Sequence, residues 1–245
     1  WSIELPFEEK AAATTQGGAL PGGIGWYRKV FTVPVDSKNK LVSIEFEGVY
    51  RNSEVWINGH YLGKRPNGYI SFQYDLTRYL KFGKEPNVIA VKVDNSQQPN
   101  SRWYTGSGIY RKVRLVIKNK ISFQQNGLFI STDNSNNGQV NVHAVVEDVT
   151  ESKQLYQIRY EVTDENGIVS KDINYHTTVM HQLQGRLTKE LFMYGIKAPA
   201  LWSVDSARLY KLKASLVIQG KIVDELSVPF GIRSFNFDRE KGFFL

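Results

Sequence analysis

Apolar and polar residues alternate with a period of two along most of this 245-residue chain, and a period of two is the signature of strands with one buried face. Val42, Ile44 and Phe46 fall on one side of their run, with Ser43, Glu45 and Glu47 on the other. Between Asn87 and Asp94, Ile89, Val91 and Val93 alternate with Val88, Ala90 and Lys92. The runs are cut by turn-forming pairs at Asn58-Gly59, Asn67-Gly68, Asn126-Gly127, Asn137-Gly138, Asn166-Gly167 and Gln219-Gly220, residues that tolerate the positive φ of tight hairpins. Short strands at such spacing make sandwiches or barrels. The helical signal of the first half is confined to Asp75-Leu76-Thr77-Arg78-Tyr79-Leu80, where Asp75 can cap a single turn before Gly83 and Pro86 end it.

A domain boundary is expected near residue 119, where Lys118-Asn119-Lys120 follows the strand Val113 to Ile117 and precedes a second series of strands. That series includes residues 139–146, 155–162 and 209–218 and has the size of an immunoglobulin-like sandwich. The predicted organisation is therefore all-β. Residues 1–118 form one β domain, 119–233 a second, and 234–245 a tail crowded with Phe235, Phe237, Phe243, Phe244 and Leu245. So apolar a tail should not be left in water, and it reads as the first strand of a further domain.

The chain has no cysteine, which excludes disulfides and thiolate metal sites. No run of about 18 apolar residues is present to span a bilayer as a helix. The net charge of +7 would suit an acidic partner, but Lys and Arg are interspersed with Asp and Glu, with no basic stripe or recognition helix. Nucleic acid and membrane are not expected partners. The opening Trp1-Ser2-Ile3-Glu4-Leu5-Pro6 reads as the middle of a longer chain, and a periplasmic or secreted setting is favoured.

Four histidines, His60, His143, His176 and His181, offer no nucleophile or carboxylate at a fixed local offset, and His176 and His181, five apart in a strand-like segment, point to opposite faces. No catalytic residue, metal or cofactor is expected. Glu45 and Glu47 sit roughly 7 Å apart on one strand face, a separation found in inverting glycosidases, yet nothing nearby would keep one protonated while the other stays ionised. A solvated face is the favoured reading. Aromatic and polar side chains are instead dense in two runs, from Arg51 through Trp56 and His60 to Tyr69, and from Ser101 through Arg102, Trp103, Tyr104 and Gly108 to Arg111. Aromatic faces against sugar C–H groups and planar polar groups against hydroxyls have this composition. Plugs at the ends of a sandwich have it too, and Trp56, inside an alternating strand, is expected in the core.

The same residues carry a resemblance. Trp26-Tyr27-Arg28-Lys29-Val30-Phe31 with Pro34 resembles the opening of the sugar-binding jelly roll of family 2 glycoside hydrolases, and Phe46-Glu47-Gly48-Val49 through Val55-Trp56-Ile57-Asn58-Gly59 resembles its core motif. Asp75-Leu76-Thr77, residues 87–94 and Gly108-Ile109-Tyr110-Arg111 follow in the family's order. Pro199-Ala200-Leu201-Trp202-Ser203, Leu209-Tyr210 and Phe230-Gly231-Ile232-Arg233 are similar to markers of the family's immunoglobulin-like domain, with Val204 and Ala207 where prolines are common.

The resemblance implies a galactose-binding-like jelly-roll β-sandwich followed by an immunoglobulin-like β-sandwich, most like a bacterial β-galactosidase. It also implies a third (β/α) barrel domain whose two glutamates perform retaining hydrolysis; neither glutamate has a counterpart here. The carbohydrate substrate would be shared with that barrel, and homo-oligomerisation is left open. In several β-galactosidases and β-glucuronidases of the family a substrate-binding Asp lies six residues before the Gly of the Gly-Ile pair, a position occupied here by Arg102, which either meets the sugar or pairs with the barrel. The implied substrate-binding residues are Ser101, Arg102, Trp103 and Tyr104. The same region of a β-glucuronidase or β-mannosidase, a stand-alone carbohydrate-binding module, and a purely structural interaction domain are the competing readings.

Overall fold

The computed structural model describes residues 23–97, 106–132, 138–150, 154–166, 181–182 (backbone) and 187–244. The chain divides into two compact units, Trp1–Ile117 and Lys118–Leu245.

The first unit contains β1 (Ile24–Phe31), β2 (Leu41–Phe46), β3 (Val49–Tyr50), β4 (Ser53–Ile57), β5 (His60–Arg65), β6 (Phe72–Asp75), β7 (Asn87–Asp94), β8 (Gly108–Ile109) and β9 (Val113–Lys118). An antiparallel sheet in the order β1-β7-β4-β5 faces a second in the order β6-β2-β9, and β3 and β8 form a short extra pair. The predicted alternation is what closes this sandwich: Ile44, Phe46, Val55, Ile57, Ile89, Val91 and Val93 all point into one core. Each buried Val or Ile removes apolar surface from water, worth about 1.5–3 kcal/mol.

Asn58 and Gly59 form the two-residue turn between β4 and β5, with φ of 48° and 86°, the positive pair that matches strand twist. The Asn58 side chain then ties three elements, donating to the Tyr79 carbonyl and Asn87 Oδ1 and accepting from the Val88 amide, each at 2.8 Å. The predicted helical connector is one 3-10 turn, Thr77–Tyr79. Asp75 Oδ1 accepts from the Thr77 amide at 2.8 Å and its hydroxyl at 2.6 Å, the local capping expected of an Asx side chain.

The second unit contains β10 (Ile121–Thr132), β11 (Gln139–Asp148), β12 (Leu155–Thr163), β13 (His181–Gln182), β14 (Leu187–Gly195), β15 (Tyr210–Ile218) and β16 (Lys221–Phe230). Sheets β10-β11-β14 and β13-β12-β15-β16 enclose Phe123, Val142, Val146, Tyr156, Val162, Leu212 and Ile232. Three strands packed on four is the size and layering of an immunoglobulin-like sandwich. Gln219-Gly220 makes the predicted turn, with φ of 49° and 76°.

Three expectations are corrected. Asn126-Gly127 is no hairpin turn: it lies inside β10, where the register against β11 shifts between Phe123 and Leu128, so the positive φ of 55° at Asn126 serves a bulge. Trp56 is not a core residue, because the inward positions of β4 belong to Val55 and Ile57, both fully buried, and its indole lies on the outer face beside Trp26 and Tyr61. The tail is a hairpin rather than one strand, with β17 (Asn236–Asp238) paired to β18 (Gly242–Phe244) and Phe237 72% exposed.

Candidate functional site

The predicted contact residues Ser101, Arg102, Trp103 and Tyr104 lie outside the described residues, as do His176 and the side chain of His181. The chain on either side of 98–105 is described, and it converges with two other loops at one end of the first sandwich.

The hub is the turn between β3 and β4. Arg51 and Asn52 follow β3, and Asn52 adopts φ of 48°, a left-handed conformation that Asn tolerates better than most side chains. This turn lets the Arg51 carbonyl accept from the Asp94 amide at 3.1 Å while Asn52 Nδ2 donates to the Asp94 carbonyl at 3.1 Å. The Asn52 amide donates to the Pro66 carbonyl at 3.2 Å, which brings the loop of residues 66–70 to the same place. Arg51 Nη2 reaches Gln97 Oε1 at 3.4 Å.

Asn95 closes the other side. It is 2% exposed; its amide donates to the Gly23 carbonyl at 2.8 Å and its Nδ2 to Ser107 Oγ at 2.7 Å. One buried amide side chain thus joins the two flanks of 98–105. In the sequence Asn95 stands within the polar stretch 94–100, and no local signal distinguishes it from Asn100 or Gln98. Among the described residues, Asn95 Oδ1 and Arg51 Nε are buried without a hydrogen-bond partner.

Tyrosines line the rim. Tyr50 and Tyr69 sit with ring centroids 5.4 Å apart, and the Tyr110 hydroxyl donates to the Gly68 carbonyl at 2.8 Å. Arg111 lies over the Tyr110 ring at 5.3 Å. Asn67 Oδ1 accepts from the amides of Tyr69 and Ile70 at 2.8 and 3.2 Å, fixing the loop that presents Tyr69. Asp94 is held below the usual carboxylate range by hydrogen bonds from the Ser96 hydroxyl and amide, so it is an ionised acceptor at neutral pH. Such a rim can stack on a sugar face and hydrogen-bond its hydroxyls.

The other candidates fall elsewhere. Glu47 pairs with Arg114, and that hydrogen bond holds its carboxyl low, the opposite of what a general acid needs. His60 is exposed and stacked on Tyr79 at 4.4 Å. His143 is exposed on β11 beside Phe129 at 6.1 Å. Neither belongs to the converging loops.

The chain is similar to known proteins across nearly all its length. Residues 11–119 match the family model described as glycosyl hydrolases family 2, sugar binding domain, and residues 126–233 match the model described as glycosyl hydrolases family 2. A β-galactosidase of Bacteroides ovatus is 41% identical over 100% of this chain and 29% of its own length. A putative β-glucuronidase of Formosa agariphila is also 41% identical, over 100% of this chain and 23% of its own. A family 2 member from Bacteroides cellulosilyticus superposes with a TM-score of 0.84 at 33% identity, over 91% of this chain and 30% of that one. A β-glycosidase from Bacteroides vulgatus gives 0.79 at 41% identity, over 97% and 29%. The chain spans less than a third of each of these relatives.

Proposed function

Because the chain belongs to glycosyl hydrolases family 2, we propose that it is the non-catalytic front portion of a β-galactosidase-like hydrolase, offering its converging loops to a sugar held by a separate catalytic barrel. In this reading residues 1–118 are the sugar-binding jelly roll, 119–233 the immunoglobulin-like sandwich and 234–245 the start of the barrel. The observation that carries it is the convergence of Arg51, Asn95 and the tyrosine rim on the two flanks of residues 98–105. The resemblance implies a sugar-contacting loop at that position, which supports this reading. Ser101, Arg102, Trp103 and Tyr104 are its contact residues, and the retaining chemistry, with one glutamate as acid/base and one as nucleophile, resides on the barrel.

A β-glucuronidase activity is the second reading. Arg102 stands where the family resemblance implies an Asp, and a guanidinium is suited to a uronate carboxylate through paired hydrogen bonds. Both readings are tested on the full natural protein with nitrophenyl β-galactoside and nitrophenyl β-glucuronide. The full protein should turn over one of them and these 245 residues alone neither; hydrolysis by the 245 residues would refute the assignment. Trp103→Ala in the full protein should raise KM about tenfold for loss of one stacking face. Arg102→Asp should shift preference away from the glucuronide if the second reading holds.

A further inference from the structure

The outer face of the β1-β7-β4-β5 sheet carries a continuous row of aromatic rings. Trp26 on β1 and Trp56 on β4 lie with ring centroids 5.3 Å apart, tilted by 31°. Trp56 and Tyr61 on β5 are also 5.3 Å apart, tilted by 51°. The strand between the two tryptophans is β7, and the residue opposite Trp56 on it is Ala90, small enough for the indoles to meet across it. Trp26 and Tyr61 are each 52% exposed. The row is thus an open, twisted strip of ring faces crossing the whole sheet.

Charge brackets the strip. Arg28 is opposite Ala90 on β1, and Lys64 is opposite Glu54 on β5. In the middle Lys92 is engaged by Glu54 at 3.2 Å. Asp94, at the sheet's end, accepts from the Ser96 hydroxyl at 2.6 Å and keeps its negative charge. Arg28 and Lys64 are exposed and form no ion pair among the described residues. Two exposed cations therefore stand at opposite edges of an aromatic strip, Arg28 on β1 and, on β5, Lys64, which lies opposite Glu54 and also attracts Asp94.

We propose that this face is a binding platform for a carboxylate-bearing oligosaccharide, a uronate chain whose ring faces stack on Trp26, Trp56 and Tyr61 and whose carboxylates meet Arg28 and Lys64. Pyranose faces are apolar patches edged by hydroxyls, which match ring faces flanked by charged donors. A protein partner burying the strip would have to desolvate the charged border as well, at a cost that paired geometry must repay. A sugar chain leaves that border hydrated. The chain's net charge of +7 adds long-range attraction for a polyanion. The platform stands on this geometry whether or not the galactosidase reading does.

The test is calorimetric titration of the full chain with a galacturonate oligomer and, in parallel, a neutral galactan oligomer, with sedimentation run at the same protein concentrations. The galacturonate oligomer should bind saturably, about tenfold more weakly for each of Trp26→Ala and Tyr61→Ala, and more weakly at high salt as screening requires. Arg28→Gln should weaken it too, and the neutral oligomer should bind at least about tenfold less tightly. Phe129→Ala, an exposed ring of the other unit, should bind as the parent does. Thermal unfolding of each variant checks that the fold persists. Absent binding, equal affinity for the neutral oligomer, or parental affinity in both Trp26→Ala and Tyr61→Ala overturns the proposal. So does loss of binding in Trp103→Ala alone, which would assign the sugar to the 98–105 loop. Self-association abolished by Trp26→Ala would give the face to a second copy and overturn it as well.

Discussion

Gly108 has φ of +97°, and a Cβ built there would lie 1.9 Å from the Tyr27 hydroxyl oxygen. Tyr27 is 7% exposed, so the ring has little room to retreat, and its hydroxyl accepts from the Ile109 amide at 3.3 Å. Gly108→Ala should therefore destabilise the first unit by more than the roughly 1–2 kcal/mol of left-handed backbone alone. Tyr27→Phe removes the clashing oxygen but not the backbone cost. A double-mutant cycle by urea unfolding should show Gly108→Ala costing less in the Tyr27→Phe background; equal costs would mean that the oxygen does not enforce the glycine. The motif Gly108-Ile109-Tyr110-Arg111 was visible in the sequence, but the reason for its glycine was not, because Tyr27 lies far away in the chain. Asn95 was hidden for the same cause: its partners Gly23 and Ser107 come from separate stretches, and a buried amide looks like any other polar loop residue.

Within elements, what was legible followed local periodicity. Val42, Ile44 and Phe46 went inward together because a strand has only two faces. Trp56 obeyed the same rule against expectation, since the inward phase of β4 was set by its smaller neighbours Val55 and Ile57. Asn126-Gly127 was misread because a pair with positive φ suits a hairpin or a bulge equally, and only the partner strand decides.

Across the second sandwich, β12 presents Tyr156 and Tyr160 toward Glu190 on β14. Tyr156 donates its hydroxyl hydrogen to Glu190 Oε1. Burial, then the carboxylate, pushes the Tyr156 hydroxyl above its ordinary value, and burial followed by Glu190 does the same to Tyr160. Unfolded tyrosines ionise near pH 10, so these raised folded values contribute stability that is complete below about pH 10 and lost as pH rises beyond it. The urea midpoint of the parent should fall between pH 9 and 11. Tyr156→Phe, less stable at neutral pH for want of its hydrogen bond, should show a shallower fall. An unchanged slope would mean that Tyr156 ionises as readily folded as unfolded.

The whole molecule behaves oppositely in acid. Arg114 holds Glu47 low, the Ser96 hydroxyl and amide hold Asp94, Ser215 and then Lys213 hold Glu225, and the Lys241 and Glu240 amides hold Asp238. Depressed folded values mean stability that is present above the ordinary carboxylate range near pH 4 and lost as pH falls through the folded values. These carboxylates are spread over both units and solvent-facing, so each contributes little, but their protonation coincides with a second effect. A chain already at +7 at pH 7 gains positive charge with every carboxylate protonated, and self-repulsion then opposes the compact state. The two effects respond to salt with opposite sign. Salt weakens the surface pairs, whereas it relieves repulsion among scattered like charges. With 31 Lys and Arg against 24 Asp and Glu, repulsion should dominate once the acids are neutralised. Thermal unfolding should therefore show a melting temperature that drops from pH 7 to pH 3, and added sodium chloride should raise it more at pH 3 than at pH 7. A salt effect of equal size at both pH values would mean that the local carboxylate contacts, rather than the net charge of the molecule, set its acid stability.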